Sequence, residues 1–147
     1  MKAAFIALLV VVCGGCGTTS VKTVKTPKPT TTSWVSDPSD PNNVKMEAAI
    51  RKAAKKPTSE LTKADLEKVT RLSLAGNQLT DVRGLENLTQ LTYLNLYGNQ
   101  LTDVKGLEKL TQLTLLYLQY NKLTNVKGLE KLTKLDYLEL GNNQLTK

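Results

Sequence analysis

Reactive side chains are few in this sequence. Its 147 residues contain two cysteines, Cys13 and Cys16, and no histidine. Every residue after 16 is thiol-free, so the body of the chain holds no disulfide framework, thiolate zinc site or cysteine nucleophile. Without histidine it also lacks the usual general base and the commonest metal ligand. Asp37, Asp40 and Asn42 hint at a calcium loop, but Pro38 and Pro41 break the spacing and no glutamate closes it. The sequence contains no nucleophile–base pair, metal cluster or phosphate-binding loop. It is read as non-enzymatic, with no catalytic residue, metal ligand or cofactor expected.

The two thiols follow an export-like leader. Lys2 supplies one positive charge, and residues 3–12 form a ten-residue apolar run. That run is too short for a permanent membrane span but fits the apolar stretch of a signal peptide. The junction reads Val11-Val12-Cys13-Gly14-Gly15-Cys16-Gly17. It resembles the lipobox of bacterial lipoproteins, in which small residues precede a cysteine that is acylated and becomes the new N-terminus. Cys16, preceded by two glycines, fits that role better than Cys13, which follows bulky Val12 and stands where the pattern normally has leucine. The resemblance implies an exported protein, lipid-anchored in the cell envelope. Gly17 after the lipidated residue implies outer-membrane sorting in a cell with two membranes. Several acyl chains anchor stably where one binds only marginally.

The formal net charge of +7 is spread along the chain. Residues 17–40 carry +1, residues 41–68 carry +3 and residues 69–147 carry +2. Both signs are mixed throughout, which is no nucleic-acid stripe. The densest basic spot, Arg51-Lys52-Ala53-Ala54-Lys55-Lys56, reads as the end of a helix, where cations complement the dipole. Export also argues against a nucleic-acid partner.

The organisation that follows has four parts: a signal peptide over 1–15, a tether over 16–40 that begins with the lipidated cysteine, a helical cap over 41–68 and repeats over 69–147. The tether is rich in Thr, Pro and Lys and cannot bury enough surface to order itself. Trp34 is its one oddity and reads as a contact onto the first helix. In the cap, Met46, Ala49, Ile50 and Ala53 fall at i, i+3, i+4 and i+7, after Asp40 or Asn42 as cap and Pro41 in the first turn. Pro57 is expected to end this helix. Thr62-Lys63-Ala64-Asp65 opens a second, capping-box-like start that should run to about Lys68.

From Val69 onward the chain repeats itself. Asn77, Asn99, Asn121 and Asn143 recur every 22 residues. The unit Leu91-Thr92-Tyr93-Leu94-Asn95-Leu96-Tyr97-Gly98-Asn99-Gln100-Leu101 fills every fixed position of the template L-x-x-L-x-L-x-x-N-x-L. The copies beginning at Leu113 and Leu135 do so too, and the copy at Val69 swaps one Leu for Val, making three full units and a partial fourth. Leu94 and Leu96 alternate with polar neighbours, the period of a half-buried strand. Gly98-Asn99 turns the chain, and the Asn side chain can bond the backbone of neighbouring turns. Leu101, Val104, Leu107 and Leu110 return along the convex side as turns or a short 3₁₀ segment. Of the 22 leucines after residue 68, all but Leu115 fall at inward positions, so they are core.

These repeats resemble bacterial leucine-rich-repeat proteins of the 22-residue class, similar to those of internalins. Val44-Lys45-Met46-Glu47-Ala48-Ala49-Ile50-Arg51 through Leu61-Thr62-Lys63-Ala64-Asp65-Leu66 resembles the helical cap that precedes such repeats in secreted bacterial proteins. The resemblance implies a short α/β solenoid, with parallel β-strands on the concave face and turns or 3₁₀ segments on the convex face. It implies macromolecular binding, names no partner and carries no catalytic motif.

Outward strand positions read Arg71, Ser73, Ala75; Tyr93, Asn95, Tyr97; Leu115, Tyr117, Gln119; Tyr137, Glu139, Gly141. Four of five tyrosines fall there, and Tyr120 lies one residue beyond. Tyrosine offers contact area at low entropic cost. The expected partner surface is therefore Tyr93, Tyr97, Leu115, Tyr117 and Tyr137, with Arg71 and Glu139 at its rim. The expected function is a membrane-anchored extracytoplasmic protein-binding module. Cross-strand tyrosine packing alone could also produce the row. The alternative is accordingly a structural envelope spacer, which would need only small polar residues on this face. Finally, Leu138, Leu140 and Leu145 are expected to face solvent in the last, partial unit. That expectation carries two readings, a shortened reading frame or a self-association surface.

Overall fold

The computed structural model describes residues 37–146. The leader, Cys13, Cys16, Trp34 and most of the tether lie outside the described residues.

Helix α1 (Pro41–Ala53) starts where local chemistry dictates. The Asp40 side chain accepts the Asn42 N–H at 2.8 Å, and Pro41 takes the first position, where a missing N–H costs nothing. Met46 and Ile50 are buried, fixing α1 against the first repeat. The helix ends before Pro57. Lys55 adopts a left-handed φ of 54°, and the Lys56 N–H bonds back to the Arg51 carbonyl at 2.9 Å. Ala54 packs against the core while Ala53 stays exposed, so the last apolar position is one residue later than its spacing implies.

Helix α2 (Lys63–Leu66) is a single turn, shorter than the capping signal promised. Its capping box is complete: the Thr62 hydroxyl accepts from the Asp65 N–H, and the Asp65 carboxylate accepts from the Thr62 N–H at 3.0 Å. The Lys56 ammonium lies 2.5 Å from the same carboxylate. Together with the Thr62 hydroxyl, which also donates to that carboxylate at 2.6 Å, and the Thr62 N–H, it holds Asp65 well below its ordinary value of 3.8.

Four three-residue strands follow: β1 (Arg71–Ser73), β2 (Tyr93–Asn95), β3 (Leu115–Tyr117) and β4 (Tyr137–Glu139). They form one parallel sheet in chain order, and the register advances by one repeat per strand, with Arg71, Tyr93, Leu115 and Tyr137 side by side. Leu72, Leu94 and Leu116 point inward and are buried, as are Leu74, Leu96 and Leu118 just beyond the strands. Each such leucine contributes roughly 1.5–3 kcal/mol by leaving water. No single repeat could bury them alone, so stacking supplies the core.

The asparagines join the layers. Asn99 Oδ1 accepts from the N–H groups of Asn77 and Leu79 at 3.1 and 3.0 Å, and its Nδ2 donates to the carbonyls of Leu74 and Leu96 at 2.9 Å. One and two layers on, Asn121 and Asn143 each accept from one N–H, of Leu101 and Leu123, and donate to the same two carbonyl positions. The chain then returns through Val104, Leu107 and Leu110 and their equivalents. This path is 3₁₀ at Leu85–Asn87 and Leu129–Lys131, and plain turns in the middle repeat. Gly128 must be glycine: its φ is 105°, and a Cβ would lie 2.8 Å from Glu108 Cγ.

In the last described layer Leu138 and Leu145 are exposed, at 37% and 39%, as expected. Leu140 differs, because it packs partly against the core formed by the preceding repeat.

Candidate interaction surface

Because the strands are parallel and in register, every third, fifth and seventh repeat position lands on one face. All seven residues expected there do so, and none is part of the buried core. Tyr93, Tyr117 and Tyr137 form a zigzag, with ring centroids 5.8 and 5.3 Å apart and tilted planes. Such spacing is attractive between rings. Leu115 is paired between Tyr93 and Tyr137 in the register and stays half-buried on the outward side.

Charge brackets this strip. The Arg71 guanidinium sits over the Tyr93 ring, 4.2 Å from its centroid, and so extends the aromatic ladder. At the other end the Tyr137 hydroxyl donates to Glu139 Oε2 at 3.2 Å, and the Gly141 N–H donates to Oε1 at 3.2 Å. The carboxylate accepting from the phenol raises the Tyr137 pKa above its ordinary 10.

Tyr97 is not in the zigzag. It pairs instead with Tyr120, centroids 5.2 Å apart. Tyr120 was outside the expected surface, yet it is 53% exposed and held at a φ of 58°. The equivalent positions carry Gly76, Gly98 and Asn142, all suited to left-handed backbone. A bulky tyrosine there costs about 1–2 kcal/mol, and strain of this kind gathers at functional sites. The signal was readable in the repeat alignment as a tyrosine in a glycine column. Beside it, the Gln119 side-chain oxygen is the one buried side-chain acceptor without a partner among the described residues.

Among the described residues there is no group of three or more His, Cys, Asp or Glu that could hold a metal. No helix among them is long and apolar enough to cross a membrane. The face carries a row of rings flanked by opposite charges.

The family of Leucine Rich repeats (2 copies) matches residues 67–109 and 111–147. The chain belongs to the leucine-rich-repeat family. Among solved structures, this leucine-rich-repeat chain is similar to an internalin of Listeria monocytogenes, with 36% identity and a TM-score of 0.67 over 73% of this chain. It is also similar to the functional domain of InlJ from Listeria monocytogenes, described as including a cysteine ladder, with 36% identity and a TM-score of 0.62 over 70% of this chain. The repeats here contain no cysteine, so that feature is not shared. The chain spans 34% of the first of these proteins and 23% of the second. No curated protein matches it. Solenoids of this family build extended concave surfaces and commonly act as protein-interaction modules.

Proposed function

We propose that this leucine-rich-repeat chain is a non-catalytic, membrane-anchored module of the cell envelope that binds a protein through its concave face. The observation that carries the reading is the contiguous Tyr93–Tyr117–Tyr137 ladder with Leu115 outward in its midst. Clustered rings are the composition of interface centres, where charges are depleted, and the outward leucine adds apolar area among them. Arg71 and Glu139 close the two ends, and Tyr97 with Tyr120 forms a second aromatic contact.

The anchoring part of the reading rests on the apolar leader and Gly14-Gly15-Cys16. Cys16 is the proposed lipidation site, the anchor lies in the envelope, and in a two-membrane cell the outer membrane is its destination. A Cys16→Ser chain should then incorporate no labelled palmitate, and continued labelling would remove the anchor from the account.

The binding part is tested by Tyr93→Ala with Tyr117→Ala in the full chain. Both rings are outward of the buried leucines, so the double variant should keep its circular dichroism. It should also fail to retain a protein that the unaltered chain retains from envelope extract. Retention at full strength would end the concave-face reading.

A further inference from the structure

The concave strip is electrically polar, and that polarity specifies what it accepts. Where α1 meets β1, a notch of about 340 Å³ has Ala49, Ala53 and Leu72 along its sides and the cations Lys52 and Arg71 at its rim. Neither cation has a carboxylate partner among the described residues, although acidic side chains are paired with other cations nearby, Glu47 with Arg51 and Asp65 with Lys56. Arg71 uses one guanidinium face on Tyr93, which leaves its N–H edges free to donate. Three strands away, the Glu139 carboxylate accepts only from Tyr137 and Gly141 and has no cation partner among the described residues. At about 4.8 Å per strand, the two poles are about 14 Å apart. Between them lie only Tyr93, Leu115, Tyr117, Tyr137 and small polar groups.

We infer that the partner presents a single bipolar protein segment to this strip: a carboxylate seated between Lys52 and Arg71, an aromatic or aliphatic middle along the tyrosine ladder, and a cation at Glu139. The inference rests on the concave-face reading and adds the charge order of the partner. Complementary charges at the two ends set the register of the segment and exclude its like-charged competitors. The apolar middle supplies contact area but no direction.

The test uses the full chain as bait for a displayed library of random 16-residue peptides. Selected clones should carry Asp or Glu at one end of an apolar core and Lys or Arg at the other. Arg71→Glu should weaken those clones by about 10-fold or more, the effect of losing one close interfacial charge pair. Replacing the peptide's acidic residue by lysine should restore binding to that variant. Glu139→Lys should do the same to the basic end, with restoration by an acidic replacement. Arg71 and Glu139 lie outside the buried core, and the neutral variants Arg71→Gln and Glu139→Gln guard against misfolding by showing intermediate losses. Clones without charge order, or clones indifferent to both reversals, would overturn the inference. The Tyr93→Ala, Tyr117→Ala chain separates the two levels. Clones that need the tyrosines but ignore the charges defeat only the bipolar segment, whereas clones that ignore the tyrosines defeat the concave-face reading itself.

Discussion

Replacing Asn99 by alanine should cost far more than the same change at Asn77, although the two occupy the same repeat position. Asn99 is 6% exposed and serves five backbone groups; the Leu79 N–H and the Leu74 carbonyl depend on it in buried surroundings, whereas the Leu96 carbonyl also accepts from Asn121 Nδ2 at 2.9 Å. Each buried polar group left without a partner costs about 1–3 kcal/mol. Allowing for some water entry, the two together amount to about 2–4 kcal/mol. That is a large share of the 5–15 kcal/mol typical of a whole domain. Asn77 is less buried, and its side chain donates only to the Ala75 carbonyl at 3.1 Å in an exposed position. Its removal should cost below about 1 kcal/mol. Urea unfolding followed by circular dichroism reads both. With a slope of about 1–1.5 kcal/mol per molar, Asn99→Ala should lower the midpoint by about 1.5–3 M, and Asn77→Ala by less than about 1 M. Equal shifts would refute the claim that the asparagine ladder holds the layers together through buried backbone groups.

Tyr120→Gly should leave stability within about 1 kcal/mol of the parent, because relief of left-handed strain offsets the lost Tyr97 contact and the added chain entropy. Partner retention should nevertheless fall; a loss of stability above about 3 kcal/mol would make Tyr120 a structural residue instead. The Tyr137 phenol should titrate above its ordinary 10, and Glu139→Gln should bring it down, as read by ultraviolet absorbance against a Tyr137→Phe control. A raised folded pKa means the associated stability is fully present below about 10 and is lost as pH rises through the folded value. An unshifted phenol in the parent chain would contradict the Tyr137–Glu139 hydrogen bond.

Much of the fold was legible because one physical requirement repeats. A solenoid must place leucines inward at fixed offsets and satisfy its turns with asparagine, so the period of 22 and the strand positions follow from spacing alone. The same period places Tyr93, Leu115 and Tyr137 in one row, as the strand register has them. What escaped depends on backbone choices that side-chain type only biases. Left-handed Lys55 ends α1 ahead of Pro57, and left-handed Tyr120 swings a fifth ring onto Tyr97. The notch beside Arg71 escaped for a different reason: it exists only because α1 docks against β1, a tertiary contact no local pattern encodes.

Hydroxyl-radical footprinting of the full chain, free and bound to a protein purified by retention on it, tests the concave-face account most directly. Tyr97, Tyr120 and Tyr137 are 43%, 53% and 43% exposed, so each labels readily in the free chain, whereas Val44 on α1 and Leu145 in the last layer report on surfaces away from the strip. The account predicts that the tyrosines lose labelling on binding while Val44 and Leu145 keep theirs. Unchanged tyrosine labelling, with protection at Val44 or Leu145 instead, would contradict it.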